Sequence, residues 1–197
     1  GTITKSGVAK AFSAGGWRLG FAMIPDELSE ITRPLSAFVS ETFSCVSAPV
    51  QYGVLPAFEN YESVRSHVER CRDIHGAAGN YLHQRFTEIG MNCPKPEGAF
   101  YLFPDFEYFR DKLTSRGIKT SEELSKRLLE ETGVALLPGK DFYLPEKFFG
   151  VRVASVDYDG TLAMQEFPHN GQLTQDSFTL LFPKLVDACL RLEKWLS

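Results

Sequence analysis

Between residues 61 and 90, apolar side chains recur every three or four positions. Val64, Val68, Cys71, Ile74, Ala78, Leu82, Phe86 and Ile89 fall on one stripe of an α-helix, and Gly90 is placed to end it. At 1.5 Å per residue such a helix runs about 40 Å, long enough to link two domains. Weaker signals flank it. The apolar run at 19 to 24 reads as a short buried strand. Pro25-Asp26-Glu27 opens a helix, which Pro34 is expected to break. Ser47 begins another helix, running to about Phe58.

Beyond the long helix the pattern alternates. Residues 99 to 103 are aromatic and strand-like. Helices are expected at about 106 to 115 and at 121 to 132, the second capped by Ser121 with Leu124, Leu128 and Leu129 inward. Residues 134 to 137 read as a short strand turned by Pro138-Gly139, and 151 to 156 as the last strand. The stretch from 157 to 176 is rich in Gly, Asp, Asn and Gln and reads as a loop. A final helix over 177 to 195 buries Leu181, Leu185, Cys189 and Leu192.

Composition narrows the class. With 43% apolar and 13% aromatic residues, the 197-residue chain carries enough apolar side chain for one large or two small globular domains. A net charge of −4 offers no electrostatic footprint for nucleic acid. No run approaches the roughly 18 apolar residues that span a bilayer. Cys45, Cys71, Cys93 and Cys189 are scattered without a C-x-x-C, as in a reduced intracellular, cytoplasmic protein. His67, Cys71 and His75 share one helix face, but three such residues without a fourth ligand read as packing and surface, so no metal is expected.

The chemistry concentrates in residues 6 to 20, Ser-Gly-Val-Ala-Lys-Ala-Phe-Ser-Ala-Gly-Gly-Trp-Arg-Leu-Gly. Lys10 has small and apolar sequence neighbours, and burial disfavours an ammonium. A neutral amine attacks a carbonyl to form a Schiff base. Arg18 presents a planar fork of donors suited to phosphate. An aldehyde bearing a phosphate meets both demands, and pyridoxal 5'-phosphate (PLP) is such a molecule. Trp17 reads as a packing residue. A second candidate is Arg152, alone in the apolar strand Val151-Arg152-Val153-Ala154. Alternation sends it to the face opposite the valines. There it either lies at an edge or pairs with a carboxylate, or it awaits an anionic substrate.

Residues 10 to 20 resemble the lysine segment of the class I/II aminotransferases, which are fold-type I PLP-dependent enzymes. Pro96-Glu97-Gly98-Ala99-Phe100-Tyr101 and Leu137-Pro138-Gly139 resemble that family's glycine-aromatic strand and its x-P-G turn. The resemblance implies an α/β chain forming the C-terminal part of such a transferase. Residues 1–75 would end the large PLP-binding domain, the long helix would lead on, and 76–197 would form a small α+β domain. It further implies that Lys10 holds PLP as a Schiff base and acts as the catalytic base. Arg18 and Ser6 would bind the phosphate, although the family's usual serine, three residues before the lysine, is here Gly7. Arg152 would pair with the substrate α-carboxylate.

The implied reaction is ping-pong transfer of an amino group between an amino acid and a 2-oxo acid, in a homodimer when full length. Alternatives within the fold are a C–S lyase of the cystathionine β-lyase type and an aminocyclopropane-carboxylate synthase-like enzyme. A non-catalytic remnant is the third. The family's aspartate on the pyridine nitrogen and its other ring contacts precede the lysine, and only nine residues precede Lys10. The chain is therefore expected to be a C-terminal portion, inactive alone.

Overall fold

A computed structural model describes residues 1–168 and 171–197. The chain divides into two compact units, Gly1–Cys71 and Arg72–Ser197.

The first unit begins with strands β1 (Thr4–Gly7) and β2 (Gly20–Met23), paired antiparallel. Helix α1 (Val8–Ala11) is a single turn following β1 directly. Helices α2 (Thr32–Thr42) and α3 (Ala48–Glu59) follow, then the start of α4 (Glu62–Ile89). Val8, Val54 and Cys71 are the buried apolar residues of this unit. Phe58 meets Phe12 and Phe21 edge-on, with ring centroids 5.6 and 5.5 Å apart.

Two expectations fail here. The strand expected to be buried at 19 to 24 forms as β2, but all four of its residues are exposed. Among the described residues β1 is the one strand beside it, so the apolar run has no sheet around it in this unit. Pro34 does not break a helix. A 3₁₀ turn, Asp26–Ile31, leads into α2, and Pro34 sits in that helix's first turn, where a missing N–H costs nothing.

The second unit holds the larger core. From α4 it takes the buried stripe Ile74, Ala78, Leu82 and Phe86. Strands β3 (Tyr101–Leu102), β4 (Leu137–Pro138) and β5 (Val151–Ala154) form an antiparallel sheet in the order β3-β5-β4. Helices α5 (Arg110–Ser115) and α6 (Ser121–Thr132) lie between β3 and β4. Helices α7 (Gly160–Glu166), α8 (Gln175–Leu181) and α9 (Pro183–Leu196) follow β5. Phe86, Phe106, Phe149, Phe182, Leu113 and Leu124 are fully buried. The Pro138-Gly139 turn needs its glycine. Gly139 N–H donates to Gly150 O at 2.8 Å, and a Cβ at 139 would stand 2.7 Å from that oxygen.

The cap of α6 is Thr120, whose hydroxyl accepts from Glu123 N–H at 3.1 Å. Ser121 is buried instead, its Oγ accepting from Lys140 N–H. Leu124 and Leu128 face inward, but Leu129 is 53% exposed, one step of about 100° beyond Leu128. The expected loop at 157 to 176 contains α7, because Asp159 accepts from the Thr161 and Leu162 amides and nucleates it. Residues 169 and 170 of that stretch lie outside the described residues. The single final helix is two, since Pro183 starts α9 afresh.

Candidate active site

Lys10 and Arg18 lie on one closed loop. β1 and β2 pair to their ends, Gly7 opposite Gly20, and Val8 N–H donates to Leu19 O at 3.2 Å. Residues 8 to 19 therefore leave and return at adjacent points. Two facing glycines allow that closeness. A Cβ on Gly7 would stand 3.0 Å from Leu19 O and 3.3 Å from Gly20 Cα.

Lys10 is carried by α1. Val8 takes the inward position and is fully buried. Two residues on, a rotation of about 200° turns Lys10 outward, and its side chain is exposed. The apolar residues beside it in sequence therefore do not enclose the amine, contrary to the sequence expectation. Arg18 closes the 3₁₀ turn Gly15–Trp17 in the left-handed region, φ 53° and ψ 40°, uncommon for a residue with a Cβ. Its Nη1 donates to Gly15 O at 3.0 Å; it forms no ion pair among the described residues. Ser6 lies on β1 opposite Phe21 and is exposed. Trp17 is 47% exposed, and its ring covers Gly53.

Under this loop lies a cavity of about 400 Å³ lined by Val8, Phe12, Trp17, Val54, Ala57 and Val64. His67, on α4, also borders it, with Nε2 3.1 Å from Phe12 O and 3.5 Å from Cys71 Sγ. His75 Nδ1 is engaged by Tyr158 OH at 2.9 Å, and burial holds its pKa below the ordinary histidine value. Among the described residues, no group of three His, Cys, Asp or Glu side chains is gathered for a metal ion.

Arg152 belongs to the second unit. Its strand β5 is the middle of three, and Val151 and Val153 are buried beside it. The guanidinium lies 4.4 Å from the Tyr101 ring centroid and 4.5 Å from that of Phe142. Among the described residues it forms no ion pair. Neither an edge position nor a carboxylate partner accounts for it. Two aromatic faces flank the guanidinium. Tyr101 carried a strand signal in the sequence, whereas nothing in it marked Phe142 as Arg152's second partner.

A sequence model of the family described as aminotransferase class I and II matches residues 2–160. An aspartate aminotransferase from Bacillus subtilis is 35% identical over 146 residues, which are 74% of this chain and 35% of that protein. A probable aspartate/prephenate aminotransferase from Aquifex aeolicus is 34% identical over 145 residues, 73% of this chain and 34% of that one. The chain thus spans about a third of the length of the curated relatives it matches. Among solved structures, an aromatic aminotransferase from Pyrococcus horikoshii aligns over 99% of this chain and 43% of its own, with a TM-score of 0.70 at 27% identity. The aspartate aminotransferase from Thermus thermophilus with maleate aligns over 98% and 41%, at 0.69 and 27%.

Proposed function

The chain belongs to the class I and II aminotransferases, of fold-type I, and from that premise we propose that it serves PLP-dependent transfer of an amino group between an amino acid and a 2-oxo acid. The donors of β1 and of the loop that follows it suit the cofactor. An amine, a guanidinium and a hydroxyl suit an aldehyde that bears a phosphate. Gly15 and Gly16 add backbone that a ligand can approach, since a Cβ at either would meet nothing within 4 Å.

Lys10 would hold the cofactor, and Arg18, with Ser6 of β1, would hold its phosphate. When bound, PLP supplies an electron sink for the substrate's α-carbon. Lys10 Nζ would carry the proton from and to that carbon as general base and acid. Arg152 would grip the substrate α-carboxylate through two parallel N–H···O bonds and orient the α-carbon. The relatives' names put aspartate first among donors to test. The full-length protein is read as a homodimer, and this chain by itself as inactive, because it spans about a third of its relatives.

The observation that carries this reading is the Gly7–Gly20 closure, which gathers Lys10 and Arg18 on one loop. Borohydride reduction of the chain with PLP, followed by peptide mass spectrometry, tests it. Label is expected on Lys10 and is lost in Lys10→Ala. Label spread evenly over the lysines, with none favoured at position 10, would sink the assignment.

A further inference from the structure

Helix α1 is one turn long and has no side-chain cap at its start. The hydrogen bonds within it are long: Phe12 N–H and Ala14 N–H both reach Val8 O at 3.3 Å, and Ser13 N–H reaches Lys10 O at 3.2 Å. An isolated turn of this kind is unstable in water, because nucleation fixes several dihedrals for few bonds. Yet this turn presents Lys10. Something outside it must hold it.

Besides the Val8 N–H bond to Leu19 O at its start, two contacts do so just past its end, at Phe12. The Phe12 ring meets Phe58 edge-on. The Phe12 carbonyl, at the end of α1, takes a hydrogen bond across 55 residues of chain from His67 Nε2 at 3.1 Å. A carbonyl only accepts, so the hydrogen is on Nε2. The Cys71 thiol 3.5 Å from the same nitrogen cannot then donate to it. We infer that His67 is a positioning residue for Lys10, its Nε2–H fixing the turn from which the amine projects. The inference rests on the reading of Lys10 given above. His67 is carried by the long helix α4.

The test compares the 197-residue protein with His67→Ala and His67→Gln; glutamine keeps an N–H donor of similar reach. Amide exchange at Phe12, Ser13 and Ala14 is read by NMR, and the share of PLP label trapped on Lys10 is read against that on Lys5. In His67→Ala, exchange rises and the Lys10 share falls, each about fivefold, the scale of one net hydrogen bond. His67→Gln restores both. Exchange unchanged in His67→Ala, or His67→Gln matching His67→Ala, overturns the inference. So does faster exchange with an undiminished Lys10 share, which leaves His67 merely structural. No Lys10 label in any of the three sinks the cofactor reading instead, and exchange alone then decides on His67. Should His67→Ala lose its circular dichroism, the imidazole ¹⁵N spectrum of the unaltered protein at pH 8 decides. An Nε2–H tautomer supports the inference and an Nδ1–H tautomer refutes it.

Discussion

Sequence neighbours and spatial neighbours part company at Lys10. Its flanking residues are small and apolar, yet one helical turn rotates it away from the buried Val8. Arg152 went the other way. Strand alternation placed it correctly opposite the valines, but no local pattern could bring Tyr101 and Phe142 onto its guanidinium, because those contacts depend on the sheet and on the turn after Pro138. Arg152→Lys keeps the charge and discards both the flat stacking surface and the paired donors. Titration with succinate, followed by NMR, is expected to show affinity weakened about tenfold, since hydrogen bonds to charged groups are each worth about 1.5–3 kcal/mol. Unchanged affinity would remove Arg152 from carboxylate recognition. Gly7 is legible in hindsight. The resembled family often carries serine there, and in this chain a side chain would press on Leu19 O.

At the level of elements, strong periodicity was enough. The long helix forms over Glu62–Ile89 and α6 over Ser121–Thr132, because an apolar stripe repeated over several turns leaves no competing period. Short elements were harder to read. The Asp159-Gly160 pair signals a turn, but the same aspartate also caps a helix, and only the amides that follow distinguish the two roles. A cap can likewise be misplaced by one residue, as Thr120 and Ser121 show. Thr120→Ala should lower the stability of α6 by about 1 kcal/mol. Trp195 reports it, since its Nε1–H donates to Glu131 on α6 at 2.6 Å and its ring lies 4.0 Å under Arg116. A urea titration followed at that tryptophan should show an earlier midpoint for Thr120→Ala.

Across the whole molecule the two units differ in how much they bury. The second has a core of aromatic and aliphatic side chains contributed by every helix from α4 onward. The first has three buried apolar residues and leaves Phe38, Phe43 and Tyr52 more than 60% exposed. Cysteine chemistry reports on each unit separately. Burial pushes the Cys93 thiol up to about 11 and that of Cys189 to about 12. At pH 8 both stay protonated and inert, because the thiolate is the nucleophile. Iodoacetamide should modify the exposed Cys45 at once. With rising urea Cys71 should follow, and Cys93 and Cys189 only at higher denaturant, as the larger apolar core holds longer. Simultaneous labelling of the last three would show a single cooperative transition.

The paired glycines at positions 7 and 20 have one more consequence. Because the two ends of the lysine-bearing segment emerge side by side, that segment behaves as a cassette. It could be joined head to tail as a cyclic peptide, or transplanted onto an unrelated two-stranded ribbon, with its internal turns preserved.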